Sequence, residues 1–252
     1  MNRRALKTVL ASALVPLLVA APIQQTELPT MGIVAIIGLL VFSLGVHEAA
    51  HAQTALWCGD PTARDLGRIT LDPRAHIDLM MSIVMPLMLY VTTGFAFGGA
   101  KPVPVNFARL RKPLRDMALV AIAGPLSNIL LAIFFASIYA ILRKNGVYST
   151  NQAMLVILDA TVSLNILLAI FNLVPIPPLD GSRVMAWLLP QPLRAPYARL
   201  EVFGLFIVFG LIVFVPGFFR LLLRGMRPVE NFVYDIANWV GDLLMPITSL
   251  FS

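Results

Sequence analysis

The sequence predicts an all-α polytopic membrane protein, and three observations carry that expectation. Hydrophobic residues make up 58% of the 252 positions and charged residues only 13%, against about 25% charged in an ordinary soluble domain. Mean hydropathy is +0.83, and several apolar runs approach the ~20 residues that a helix needs to cross about 30 Å of hydrocarbon. The longest connection between runs, 177–201, has 25 residues, too few for an inserted soluble domain. The expected architecture is therefore a single membrane-embedded domain over 1–252. It has five to six transmembrane helices, a re-entrant hairpin or short β segment, and a C-terminal amphipathic helix.

The elements follow in chain order. Residues 1–25 combine a basic start, an apolar stretch and a small-residue end. They read as an uncleaved first span rather than a signal peptide, because another apolar run follows within ten residues. Further runs cover 31–57, 79–97, 117–142, 153–176 and 202–223; the third is broken by Pro86 and ends in Gly98-Gly99. From Phe232 the apolar residues recur at helical spacing, through Val233, Ile236, Trp239, Val240, Leu243 and Leu244, with Asp235, Asn238 and Asp242 on the other face. That pattern predicts an interfacial amphipathic helix.

Charge and cysteine usage exclude several classes. The 19 Lys+Arg against 13 Asp+Glu give +6, but the bases sit in short loops beside apolar runs. They read as topology signals and contacts to anionic headgroups, with no nucleic-acid partner. Cys58 is the single cysteine, which excludes an internal disulfide framework and a cysteine-based zinc finger.

Chemistry is expected where ionisable residues interrupt apolar runs, because burying them there is costly. His47, Glu48, His51 and Asp159 are such residues. His47-Glu48-Ala49-Ala50-His51 is an H-E-x-x-H sequence; on a helix, positions i and i+4 share a face about 6 Å apart, so both imidazoles can hold one zinc ion. Glu48 lies off the ligand pair, within reach of a metal-bound water. Positions 54 and 57 are Thr and Trp, so a third histidine does not follow, and His76 reads as a satisfied interfacial residue. The third ligand is then a carboxylate, Asp159 or Asp180, and only one can join the histidines, since a helix between them would separate them by about 30 Å. Asp180 is favoured: Pro175, Pro177 and Pro178 break the helix before it and Gly181 permits a sharp turn. Asn172, eight residues earlier, is a candidate donor to a developing oxyanion.

HEAAH, GGAKPVPVN (98–106), AGPLSN (123–128) and NLVPIPPLDG (172–181) together resemble the site-2 protease family of intramembrane zinc metalloproteases. The likeness covers most of 31–185, the expected catalytic core, and the form is compact, with room for neither a PDZ nor a CBS domain. The resemblance implies hydrolysis of peptide bonds in or beside transmembrane helices of other proteins, with one zinc ion per chain. It assigns His47, His51 and Asp180 to the metal, and Glu48 with Asn172 to catalysis. Gly98, Gly99, Lys101 and Asn128, within the matching motifs, are candidate substrate-binding residues. The competing reading is a membrane metal transporter or carrier using the same cluster, against which Glu48 argues, since a pure binding site needs no acid beside its ligands.

Topology follows from basic residues and depth. Arg3, Arg4 and Lys7 predict a cytoplasmic N-terminus in a multi-pass plasma-membrane protein, whose partners are the bilayer and transmembrane substrates, with a homodimer allowed. For Asp180 to reach the histidines, 79–97 must return to the side it left. The one conflict is the sixth run, which as a span would carry Arg220, Arg224 and Arg227 outside.

Overall fold

The computed structural model describes residues 30–78, 84, 100–145 and 152–248. The expected first span and the re-entrant segment with Gly98 and Gly99 lie outside the described residues. Among the described residues the long apolar stretches are helical, as they must be where no water is present to satisfy an open backbone. Four stretches are long and apolar enough to cross a membrane: Val34–Trp57, Pro113–Lys144, Gln152–Asn172 and Gln191–Ile212. The expected short β segment is not found among the described residues, where no strand forms; 100–106 carries no regular secondary structure.

Helix α1 (Thr30–Trp57) changes character along its length. Val34 and Ile37 are exposed, whereas Ser43, His47, His51, Ala52 and Ala55 are buried. α2 (Pro113–Lys144) packs against α1. α2 also packs along α3 (Gln152–Asn172), whose 21 residues span about 31 Å. α3 ends before the proline-rich segment 173–180. There Gly181 opens α4 (Gly181–Leu188) so close to the preceding chain that a Cβ would lie 2.1 Å from the Leu173 carbonyl oxygen. Only glycine fits.

Two expectations about the C-terminal third change. The apolar run 202–223 is not one helix. After α5 (Gln191–Arg199), α6 (Gly204–Phe214) stops at Val215, and α7 (Pro216–Thr248) starts afresh. Pro216 has no N–H to continue the ladder. Phe218 of α7 then packs on the same cluster of Leu179, Val208 and Ile212 that α6 covers. The amphipathic helix also begins before Phe232 and does not stand apart from the bundle. Its buried residues Met226, Val233 and Ala237 are lodged among Ala132, Phe135, Ala136, Leu158, Val162 and Ile166 of α2 and α3. Phe232, Trp239 and Leu243 of the expected stripe are exposed.

This path resolves the arginine conflict. Gly225 lies beside Ile170, near the C-terminal end of α3, while Gly241 lies beside Lys144 at the end of α2. α7 therefore starts at the same end of the bundle as Asp180 and runs away from it. Arg220, Arg224 and Arg227 sit at the Asp180 end, not across the membrane from it.

The loops flanking 79–99 are tied together at that end. Lys101 N–H donates to the His76 carbonyl (2.7 Å) and Arg111 N–H to the Cys58 carbonyl (3.1 Å). Asp60, fully buried, accepts from Asn106 N–H (2.6 Å) and from the Thr62 N–H (3.0 Å) and hydroxyl (2.5 Å). Burial pushes its carboxyl upward, but the Thr62 and Asn106 hydrogen bonds outweigh that and hold it below the usual range. With residues 58 and 111 bonded to one another, both connecting loops face one side. Single cysteines introduced by Arg64→Cys and Arg111→Cys, in a Cys58→Ser background, are expected to react alike with a membrane-impermeant thiol reagent. Labelling of one position alone in intact cells would refute this arrangement.

Candidate metal centre

The site is built from one face of α1 and the turn before α4. His47 and His51, one helical turn apart, present their Nε2 atoms 3.0 Å from each other. Asp180 Oδ2 lies 3.2 Å from His47 Nε2 and 3.3 Å from His51 Nε2. The histidines are buried. Among the described residues, these three form the group of His, Cys, Asp or Glu side chains able to share a metal ion, with ligand atoms within 4.8 Å of one another.

The hydrogen bonds on the far sides of the rings decide what these short distances mean. His47 Nδ1 is 2.6 Å from Asn128 Oδ1 and His51 Nδ1 is 2.7 Å from the Val120 carbonyl oxygen. Both partners are acceptors only, so each Nδ1 carries the proton and donates it. Each neutral imidazole then has a bare lone pair at Nε2. Two nitrogen lone pairs and a carboxylate oxygen therefore converge with no proton between them, which is why the buried Asp180 Oδ2 has no hydrogen-bond partner despite its close neighbours. Uncompensated, that convergence is repulsive and costly at low dielectric. A cation fits it. Tetrahedral zinc, with ligands at 2.0–2.2 Å, separates its donors by about 3.3–3.5 Å, close to the 3.0–3.3 Å found here.

The other expected residues fall into place unevenly. Asp159, the rival carboxylate, lies elsewhere and accepts a hydrogen bond from the Tyr234 hydroxyl of α7. Glu48 Oε2 accepts from Val103 N–H at 3.2 Å, so the acid of the HEAAH sequence is held by the segment 100–106. Lys101 lies exposed in that segment, and the Pro102 carbonyl accepts from Arg68 at 3.4 Å. His76, expected to be satisfied, is so on one side alone: its Nε2 donates to the Thr70 carbonyl (2.8 Å), while its buried Nδ1 has no hydrogen-bond partner. Asn172 Nδ2 donates to Leu168 O one turn back on its own helix (3.0 Å). Asn128, expected among the substrate contacts, is fully buried and divides its amide between His47 and Asn165.

Sequence reasoning missed two contributors. A Cβ at Gly124 would fall 2.4 Å from His51 Nε2 and 2.6 Å from His47 Cε1, so α2 can lie against the imidazoles only with glycine there. The second is the Val120 carbonyl, whose remaining lone pair takes the His51 proton. The available signal was Gly124-Pro125 inside an apolar helix, where a glycine needs a packing reason.

Comparison with known proteins agrees with this chemistry. The family model described as Peptidase family M50 matches residues 143–215. Two similar relatives carry the name "Putative zinc metalloprotease". YwhC of Bacillus subtilis (strain 168) is 39% identical over 181 residues, covering 70% of this chain and 78% of its own. Rip2 of Mycobacterium tuberculosis (strain ATCC 35801 / TMC 107 / Erdman) is 32% identical over 214 residues, covering 84% of this chain and 74% of its own. No solved structure matches. The geometry separates the two carboxylates: Asp180→Ala is expected to abolish stoichiometric zinc in the purified protein, while Asp159→Ala retains it. Metal analysis of the two variants checks this, and retained zinc in Asp180→Ala would remove that residue from the ligand set.

Proposed function

The chain belongs to peptidase family M50, the site-2 protease family of zinc metalloproteases, and from that premise we propose that it cleaves peptide bonds in or next to transmembrane segments of other membrane proteins. It is a zinc-dependent membrane enzyme. Its substrates, residue roles and placement in the plasma membrane with a cytoplasmic N-terminus are our reading. So is the division of the chain: one membrane-embedded domain over 1–252, with a catalytic core at about 31–185. The observation that carries this reading is the convergence of three unprotonated donors from His47, His51 and Asp180 at one end of a membrane-crossing bundle.

Bound zinc would supply Lewis acidity, activating a water and polarising the scissile carbonyl. The chain's own residues do the rest. Glu48 is next to a ligand yet outside the ligand set. With Oε2 held by the Val103 N–H, its other oxygen is the group to accept the water's proton and deliver it to the leaving amine. The buried Nδ1 bonds keep both imidazoles in the orientation that leaves Nε2 free to ligate. Segment 100–106, tied at Lys101, Val103 and Asn106, is the edge against which an unwound substrate strand would lie, with Lys101 and the glycines before it. The bonded ends of 79–99 support a re-entrant path for that segment. Asn172 is kept as a candidate oxyanion donor, which would have to turn its amide from Leu168 to act.

Two outcomes test this reading. Glu48→Gln leaves the ligands untouched, so zinc is expected to stay bound while hydrolysis of a single-span test substrate falls by about 10²-fold or more. Measurable loss of zinc in that variant, or activity near wild type, would contradict the assigned role. The substrate's own helix is the second lever. Its carbonyls are hidden in hydrogen bonds until it unwinds, and Gly or Pro costs a helix about 1 or 3 kcal/mol relative to Ala. Helix breakers in the third of the test span nearest the metal are expected to raise cleavage severalfold or more, and Leu to suppress it. A rate indifferent to breakers but dependent on a soluble tail would point to a separate adaptor.

A further inference from the structure

Beyond the imidazole contact, Asn128 is one link in a longer chain of buried amides. Asn128 Nδ2 donates to Asn165 Oδ1 on α3 at 3.0 Å. Asn165 Nδ2 donates both to the Thr161 carbonyl oxygen (2.9 Å) and to Ser43 Oγ on α1 (3.0 Å). Ser43 in turn donates to the Leu39 carbonyl (2.8 Å). Ser43 and Asn128 are 0% exposed and Asn165 1%, so no water enters to relax the pattern.

The direction of every bond in this chain is forced from one end. The Thr161 carbonyl can only accept, so the Asn165 atom facing it must be the NH2 group; the reverse orientation would set oxygen against oxygen. Asn165 therefore turns its own oxygen to Asn128. Asn128 must meet that oxygen with its NH2 and is left with its oxygen facing His47. His47 Nδ1 must then be the protonated nitrogen, and Nε2 the bare one. We infer that Asn165 is a positioning residue for the metal centre: with Thr161 as the fixed reference on α3, it sets the tautomer of His47 on α1 through Asn128 on α2. The inference rests on the zinc reading above and extends it to a residue that touches neither metal nor substrate.

Ser43 has a different standing. It accepts from Asn165, but Asn165 would keep its orientation from Thr161 alone. The two residues make neighbouring interhelical bonds, yet only one determines the tautomer, and that difference separates positioning from simple helix packing.

The experiment compares zinc affinity by chelator competition on purified, zinc-loaded wild type, Asn165→Leu and Ser43→Ala. Loss of an outer hydrogen-bond partner typically weakens metal binding about 10–100-fold, and that drop is expected for Asn165→Leu, with Ser43→Ala close to wild type. Equal affinity in Asn165→Leu and wild type, or equal losses in both variants, would overturn the inference. Should Asn165→Leu not fold, ¹⁵N-histidine NMR of the zinc-loaded wild type gives an independent reading. His47 is expected to carry its proton on Nδ1, and an unprotonated Nδ1 would overturn the relay. A wild-type protein that binds no zinc would instead refute the metal centre itself, so the two failures are distinguishable.

Discussion

Three lone pairs within 3.0–3.3 Å of one another, with no proton to share, form the constraint on which the rest of the molecule depends. Such a cluster cannot be left to solvent, and without a cation it cannot be buried cheaply. Each nearby departure from ordinary helix packing serves it. Gly124 removes the Cβ that would strike both rings. Gly181 lets the chain turn hard enough against Leu173 to bring Asp180 to the end of α1. Asn128 and Asn165, buried at 0% and 1% exposure, lie in line with an imidazole: Asn128 bonds to His47, and Asn165 bonds to Asn128. In a membrane-crossing bundle the reference state offers no competing water, so such a network is fully satisfied or it fails.

The bundle also shows why the basic residues fall where they do. With Gly225 of α7 beside Ile170 and Gly241 beside Lys144, the arginines at 220, 224 and 227 share an end with Asp180. The loops after α1 join them there, since Arg111 bonds back to Cys58. Cationic loops, the candidate metal centre and the entry to the 79–99 segment thus gather at one face. That is the distribution the positive-inside rule describes for short loops, and it follows once α6 and α7 are separate helices rather than one span.

How much of this was legible beforehand depended on whether the information was local. His47, Glu48 and His51 share one helical turn, so spacing alone brought two donors together and set the acid aside. Asp180 was readable because prolines and Gly181 mark a break in the helix at that point. The path of α7 was not readable. Periodicity identifies an apolar face but not what covers it, and Phe232 and Trp239 on the expected stripe prove to be exposed while Val233 and Ala237 are buried. The run 202–223 looked continuous because hydropathy sums side chains and ignores the N–H that Pro216 lacks. The asparagines show the same limit. Asn172 and Asn128 are equally polar interruptions of apolar runs, and only the packing of α2 against α1 gives one of them the imidazole.

The two halves of the site answer opposite demands. The two imidazoles of the candidate metal centre are fixed in orientation by buried bonds to Asn128 and to the Val120 carbonyl. Glu48, the proposed acid, is placed differently. It is held by a single backbone N–H, that of Val103, in a segment whose own anchors are loop groups such as His76 and Asp60. Pro102 and Pro104 flank that residue and have no N–H of their own, so within 102–104 Val103 is the one backbone donor available to Glu48. The rigid side is thus written into helix–helix contacts, and the adaptable side into a loop with few bonds to break. On the proposed reading, a substrate strand lying along 100–106 would meet Glu48 through the same segment that holds it in place. Binding there and orientation of Glu48 would then be coupled by the covalent chain itself.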